Sequence, residues 1–402
     1  MKGKVENPEF RAEVLKHIDV LIVGAGFFGA TLAERIANDL DKKVVVIDSR
    51  SHIGGNSYSE IDPETEIEYH KYGSHLFHTS SEKIWNYINE FTRFNNYKHH
   101  VYAKHNNRVY SLPINLLTIC QFFDKAFSPE EARSHINSLI KSHTEKNTFK
   151  NDVSLKDKAI SSVGPELYSA FFENYTRKQW QVDPEHLPAS IINRLPVRFN
   201  FDTNYFSDKF EGVPLHGYTQ VFKNMLNSEN IKYFTNLNYF EIKKSVPKKC
   251  LTIYTGPIDR FYEYRFGELT WRTLDFQLEI LNIEDYQGTS VMNYVDKEVN
   301  FTRIHEFKHL HPEREYDKSK TLIMKEFSRF AARHDEPYYP VNSAQDRDKL
   351  EKYRFLAKTE KNVLFGGRLG TYQYLDMHMA IGSALSMFEN EVQNALSKKT
   401  SP

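Results

Sequence analysis

The chain has 402 residues and carries 53 Lys+Arg against 53 Asp+Glu, so with histidine neutral its formal net charge is zero, which excludes a nucleic-acid binder built on phosphate neutralisation. With 40% hydrophobic and 26% charged residues the composition is that of a folded chain with a large interior, not a disordered one. Its apolar runs fall far short of the roughly 20 residues of a membrane helix, and Cys120 and Cys250 neither frame a disulfide set nor show metal-ligand spacing, which suits a reducing, cytoplasmic compartment and a site without metal.

Residues 1–16 are polar, lack a long apolar period and read as a leader segment outside the fold. The apolar run Ile18 to Val23 predicts a strand, and Ala30, Leu32, Ala33, Ile36, Ala37 and Leu40 predict a helix behind it. Between them stands Gly24-Ala25-Gly26-Phe27-Phe28-Gly29. A second strand, Val44 to Ile47, stops at Asp48. The three glycines divide the work of a dinucleotide cradle: a tight turn, room for a pyrophosphate against the backbone, and close packing of helix on strand. Asp48, about 20 residues on, is the carboxylate expected to accept hydrogen bonds from a ribose. A plain α/β turn is the competing explanation of the same residues.

After Asp48 comes a second glycine pair, in Gly54-Gly55-Asn56, and far along the chain a third segment, Gly366-Gly367-Arg368. Paired glycine segments so distant in sequence suit the extended cofactor FAD better than a nicotinamide, although ordinary loop glycines would look the same. From Leu116 to about Arg194 the pattern becomes helical, with helices predicted over Thr118 to Phe127, from Ser128-Pro129-Glu130-Glu131 onward, and over Pro165 to Tyr175. Positions 168, 171, 172 and 175 then share one face, which serves equally as core or as an aromatic platform. Trp180 precedes Gln181-Val182-Asp183-Pro184, a breaker segment suited to a mobile lid. Between about Phe199 and Tyr339 the abundance of Tyr, Phe, Thr and Val predicts strands of a mixed or antiparallel sheet. A strand over Asn362 to Phe365, the glycine turn and a helix with Met377, Ile381, Ala384, Leu385 and Phe388 on one face close the chain.

Several segments are more specific than these patterns: Gly54 to Tyr58, Tyr72-Gly73-Ser74-His75-Leu76-Phe77-His78-Thr79, Tyr175 to Trp180, Arg194 to Phe199, Pro337 to Pro340, and Gly367 to His378. On them the chain resembles the bacterial UDP-galactopyranose mutases from about Ile18 to about Glu389. It departs at the leader, around Lys243 to Lys249, and at Ser74, where a proline or another small residue is expected; that last departure leaves the exact sugar open. The resemblance implies an α/β fold: a discontinuous Rossmann-like FAD-binding domain (17–95, 208–262 and 345–395), a helical insertion domain with the mobile lid (114–192), and a mixed or antiparallel β-sheet substrate domain (96–113, 193–207 and 263–344), after the leader 1–16.

The activity implied is interconversion of UDP-galactopyranose and UDP-galactofuranose, for cell-surface polysaccharide, with the N-acetylated sugar as a second candidate. In that family the N5 of reduced FAD attacks the anomeric carbon and expels UDP, and an iminium forms before the ring recloses. An external reductant and a homodimer are implied with it. Residue by residue, the resemblance implies Arg194, Arg303 and His78 as catalytic. It puts the cofactor on Gly24, Gly26, Phe27, Gly29, Asp48, Gly55, Asn56, His75, Gly367, Arg368, Asp376 and Met377. The substrate falls to Phe171, Phe172, Tyr175, Thr176, Trp180, Arg194, Tyr205, Arg303, Glu326, Tyr339, Arg368 and Tyr374. Two readings compete: an FAD-dependent oxidoreductase of related fold, and a non-catalytic sugar-nucleotide sensor.

Overall fold

The computed structural model describes residues 10–146, 154–191 and 197–397, so Arg194 and the start of the leader lie outside the described residues. Two sheets organise the chain. The first has five parallel strands in the spatial order Val363–Phe365, Leu251–Tyr254, Val20–Val23, Val44–Ile47, Ile231–Phe234. All four residues of Val44–Ile47 are buried, as expected for a parallel sheet covered on both faces, and this is why its strands read as unbroken apolar runs. On one face lie the helices Phe27–Asp39 and Met377–Met387, the latter packing through Ile381, Ala384 and Leu385. A Cβ on Gly29 would come within 2.0 Å of the Gly24 carbonyl oxygen, so the first helix can approach its strand this closely only with glycine there.

The opposite face corrects one expectation. Residues 10–16 are part of the fold, not a leader outside it. Ala12–His17 makes a short 3-10 turn that drives Leu15, 0% exposed, into a cluster with Ile18, Leu21, Val45 and Ile47. Phe10 meets Phe234 edge to face at 5.3 Å. One turn carrying one deeply inserted apolar residue is too short to leave a periodic signal.

The second sheet has seven strands in the order Tyr339–Pro340, Trp271–Leu281, Thr321–Phe330, Arg303–Glu306, Val291–Tyr294, Val101–His105, Arg108–Leu112. Its pairings are antiparallel except the parallel one between Val291–Tyr294 and Val101–His105, so the sheet is mixed. Residues 197–207, expected in the sheet region, form bends rather than a strand; their backbone bonds run to Ile114, Leu116 and His99.

The helical region also differs in detail. Asn115 caps a helix over Leu116–Phe122, five residues short of the expected end, and Asp124 then takes the left-handed conformation, with φ 50°. Ser128 and Glu131 cap each other reciprocally at the start of Pro129–Lys146. Beyond Pro165 the helix continues to Trp180, but Ser169–Glu173 forms a wide π turn between Pro165–Tyr168 and Asn174–Trp180. The extra residue rotates the second half of the helix relative to the first. Tyr168 therefore packs in the insertion core and is not on the cleft wall, whereas Phe171, Phe172 and Tyr175 are. No described helix is long and apolar enough to cross a membrane.

Replacing Leu15 by Ala should cost about 2–5 kcal/mol of stability, measured by denaturant unfolding, as for other fully buried leucines. A change within error would mean the segment does not pack as described.

Candidate active site

Between the sheets runs a cleft of about 1610 Å3. One wall is formed at the carboxyl ends of the parallel strands, where Gly24, Asp48, Thr255 and Gly367 follow their strands directly or within two residues. Gly24 has φ +110°, and the helix that starts at Phe27 has no side-chain cap at Gly26, so its first N–H groups remain available to an anion. Gly55, with φ +56°, lies against Gly26 so closely that a Cβ on it would be 3.2 Å from the Gly26 Cα. Gly367, with φ +71°, closes the far end. Arg50 Nη1 and Asn56 Nδ2 are buried donors without a protein partner, although Arg50 Nη2 donates to Asn56 Oδ1 at 2.8 Å and to Glu336 at 2.7 Å. Open backbone, orphaned buried donors and glycines where a Cβ would intrude fit an extended dinucleotide. Asp48 has a further task beyond the expected ribose contact: its carboxylate accepts the Ala25 and Arg50 backbone N–H groups, each at 2.9 Å, tying the two loops together.

The opposite wall is built on the seven-stranded sheet. Cross-strand register sets Arg303 opposite Glu326 on one side and Asn293 on the other. Arg303 Nε stands 3.2 Å from Glu326 Oε1 as an ion pair, out of line for a hydrogen bond, while Nη2 donates to the Tyr175 hydroxyl at 2.6 Å. Burial alone would lower the Arg303 guanidinium's pKa, but the Glu326 charge outweighs that and raises it. Burial would likewise raise Glu326, yet Arg303 and His305 reverse the effect and hold its carboxyl at about 2. Burial pushes the Tyr175 and Tyr339 phenols up to about 12, so both keep their protons as donors. Arg368 makes no ion pair among the described residues, and burial lowers its pKa. Tyr205 lines the same space, as do Tyr339 and Tyr374, whose rings stack at 5.9 Å. Two guanidiniums and four phenols thus converge on one volume, with the carboxylates of Glu326 and Asp376 beside them.

Phe171, Phe172, Tyr175 and Trp180 line the adjoining end, whereas Thr176, although buried, is not on the cleft wall. The Trp180 helix is docked to the sheet by Lys178, whose Nζ donates to the carbonyls of Tyr294, Asp296 and Phe301 at 2.5, 3.0 and 3.2 Å. Gln181 then turns left-handed, with φ 52°, and Asp183, bound by Arg177 at 2.8 Å, caps the short turn Pro184–His186 in the segment expected as a lid. His75 and His78 both reach the cleft. His75 Nδ1 bonds the Gly73 carbonyl at 2.7 Å, and burial lowers its pKa to about 4. His78 stacks on Phe206 at 3.8 Å and bonds Asp208 at 2.7 Å. Asp376 and Met377 line the cleft at the start of the closing helix. His78, Asp376 and His378 also bring one ligand atom each to within 4.8 Å of one another, a grouping that spacing along the chain does not reveal.

Among the cleft-lining residues that sequence reasoning missed are Arg50, on the cradle side, and His99, Asn293 and His305. A signal existed for His305, because two residues after Arg303 on a strand is the same face. Nothing local marks Asn293, whose buried Oδ1 lacks a partner, or His99, lowered to about 3 by burial and then by neighbouring cations.

Such a fold and cleft define a dinucleotide-dependent α/β enzyme whose second sheet carries a wall of arginine, carboxylate and phenol groups. A family model for UDP-galactopyranose mutase matches residues 170–374, and one for an NAD(P)-binding Rossmann-like domain matches residues 22–91. A probable UDP-galactopyranose mutase of Klebsiella pneumoniae is 43% identical over 96% of this chain and 97% of its own length. A dTDP-fucopyranose mutase of Escherichia coli is 42% identical over 93% and 98%. The chain belongs to the UDP-galactopyranose mutase family. A crystal structure of reduced UDP-galactopyranose mutase superposes with a TM-score of 0.71 at 13% identity, covering 95% of this chain and 96% of that one. A putative protoporphyrinogen oxidase from Exiguobacterium sp. gives 0.61 at 11% identity, covering 94% and 98%. Both likenesses show the fold, which is shared by a mutase and an oxidase; the reaction must be read from the site.

His75 and His99 are neutral when folded, with pKa values lowered to about 4 and about 3, and return toward about 6.5 on unfolding. Their contribution is complete above pH 6.5 and is lost as pH falls toward 4, because the unfolded chain then binds about two more protons at these sites. Unfolding free energy measured by denaturant titration should fall over that interval with a slope approaching about 2.7 kcal/mol per pH unit from these two alone, steepened by His70 and His305, which burial also lowers. A flat profile would show that these imidazoles are charged in the folded state.

Proposed function

We propose that the chain is a flavin-dependent isomerase that interconverts UDP-galactopyranose and UDP-galactofuranose, with FAD in the glycine cradle and active in the reduced state. One observation carries the reading: Arg303, Arg368 and the phenols of Tyr175, Tyr205, Tyr339 and Tyr374 line a single cleft together with the glycine cradle. A diphosphate between a nucleoside and a sugar needs planar, always-charged donors, and arginine supplies them in pairs. The protonated phenols donate to further phosphate oxygens without adding charge. Phe171, Phe172 and Trp180 offer faces on which uracil stacks. Arg194, outside the described residues, is the second diphosphate arginine in this reading.

Reduced flavin, when bound, supplies the nucleophilic chemistry at the anomeric carbon. The protein's own residues do the rest. Arg303 and the tyrosines stabilise the diphosphate as it separates from the sugar and hold it for return. Glu326, ionised and paired, keeps the arginine oriented and is not a proton donor at neutral pH. His78, fixed by Asp208, stands at the cofactor side in this reading, beside Asp376 and His378. An external reductant, a homodimer and a cytoplasmic setting complete the proposal.

The likeness to the dTDP-fucopyranose mutase, within one percentage point of the first relative, favours a second reading, a dTDP-6-deoxyhexose as substrate. Dithionite-reduced, FAD-loaded protein should be incubated in parallel with UDP-galactose, UDP-N-acetylgalactosamine and dTDP-fucose, and ring isomers separated by chromatography. Turnover of UDP-galactose without an added acceptor supports the proposal. Preference for dTDP-fucose supports the second reading, and product formed only with an electron acceptor would make the protein an oxidoreductase.

Arg303→Ala should lower kcat/KM at least about 30-fold and up to several thousand-fold, the range for truncating one member of a buried charge pair, with flavin retained. Loss of flavin would assign Arg303 to the cofactor instead. Trp180→Ala should weaken UDP and UDP-galactose equally, by about 5- to 150-fold, because stacking reads the base. A loss confined to the sugar nucleotide would contradict that role.

A further inference from the structure

Ser74, the departure from the family pattern, is a member of a buried chain of hydrogen bonds. Its Oγ lies 2.7 Å from His305 Nδ1. His305 Nε2 lies 3.2 Å from Glu326 Oε2, and Glu326 Oε1 is 3.2 Å from Arg303 Nε and accepts from Thr302 Oγ1 at 3.1 Å. The turn that carries Ser74 sits directly over this chain, since a Cβ on Gly73 would be 3.4 Å from the Phe276 ring and 3.7 Å from Glu326 Oε2. Ser74 and His305 both line the cleft, between the His75 loop and the Arg303 wall.

The direction of each bond follows from the donors and acceptors available. Glu326 is ionised and can only accept. His305, 1% exposed, is kept neutral because burial, the largest influence on it, outweighs the Glu326 charge. Its single proton must therefore face Glu326 on Nε2, which makes Nδ1 an acceptor. Ser74 must then donate its hydroxyl proton to Nδ1, and it turns only lone pairs to the cleft. The diphosphate end of the cleft is a wall of donors, Arg303, Arg368 and the phenols, whereas hexose hydroxyls also require acceptors.

We infer that Ser74 is a specificity-determining residue that accepts a hydrogen bond from a hydroxyl of the hexose, its own proton being committed to His305. The inference rests on the sugar-nucleotide reading above. It accounts for a serine at a position where a proline or an inert small residue would otherwise serve, and it distinguishes a fully hydroxylated hexose from a deoxy sugar at one carbon.

FAD-loaded wild-type, Ser74→Ala and His305→Phe proteins should be titrated with UDP, UDP-galactose and the UDP-galactose analogues lacking one hydroxyl at C2, C3, C4 or C6. Ser74→Ala should leave UDP affinity unchanged and weaken UDP-galactose about 3- to 15-fold, the worth of one neutral hydrogen bond. One deoxy analogue should bind wild type and Ser74→Ala equally, which identifies the hydroxyl. His305→Phe should weaken that discrimination without removing it, because the serine proton is no longer held away from the cleft although its lone pairs remain. Equal losses for UDP and every analogue, or no loss for any, would overturn the inference. Wild-type protein that shows the coupling but does not interconvert ring forms would overturn the mutase reading alone. Turnover of UDP-galactose without coupling at any carbon would overturn the Ser74 assignment alone, and failure of every sugar nucleotide to bind would overturn both.

Discussion

The site depends on one ion pair, the buried Glu326 with the partly exposed Arg303, set face to face by the register of two antiparallel strands. Burying a carboxylate is costly unless it is paired, and a pair of this kind is retained for what it orients more than for the stability it adds. Here it keeps a guanidinium charged and aimed into the cleft. Glu326 does not saturate it, because Arg303 also bonds Tyr175, and Arg368 stands nearby with no ion-pair partner among the described residues. Around Arg303 and Arg368 the cleft therefore offers guanidinium donors not fully taken up by the protein's own carboxylates.

The two sheets divide the labour cleanly. Strands of the parallel sheet end at the cleft in Gly24, Asp48 and Thr255, and the turn after the Val363–Phe365 strand brings Gly367 there, so backbone N–H groups and glycine surfaces form one wall. Side chains from the mixed sheet form the other. The first wall is generic, which is why the fold superposes on both a mutase and an oxidase. Chemical identity resides in the second, in the row Asn293, Arg303, Glu326 and in the helix that Lys178 fastens over it.

That helix shows how local geometry decides function. An uninterrupted α-helix would have placed Tyr168 on one stripe with Phe171, Phe172 and Tyr175. The π turn at Ser169–Glu173 divides them, leaving Tyr168 in the insertion core while the other three rings line the cleft. Phe171 belongs to both, being in aromatic contact with Tyr110 and Phe122 on its far side.

The amino-acid sequence alone determined the dinucleotide cradle, because a strand, three glycines and a helix are contiguous and their periods are visible within 30 residues. It also named Arg303, Arg368 and the tyrosines as candidates, through motifs specific enough to carry a resemblance, and all of them line the cleft. Tertiary structure alone decided that residues 10–16 belong to the core, that Thr176 is not on the cleft wall, and that Asp48 binds two loops together as well as facing the cofactor space. It alone joined Ser74 to His305, 231 residues apart, and His78 to Asp208, 130 apart. The reason is physical: periodicity and glycine spacing are properties of neighbours along the chain, whereas which polar groups meet in a dry cleft is set by strand register and by the packing of one sheet against another.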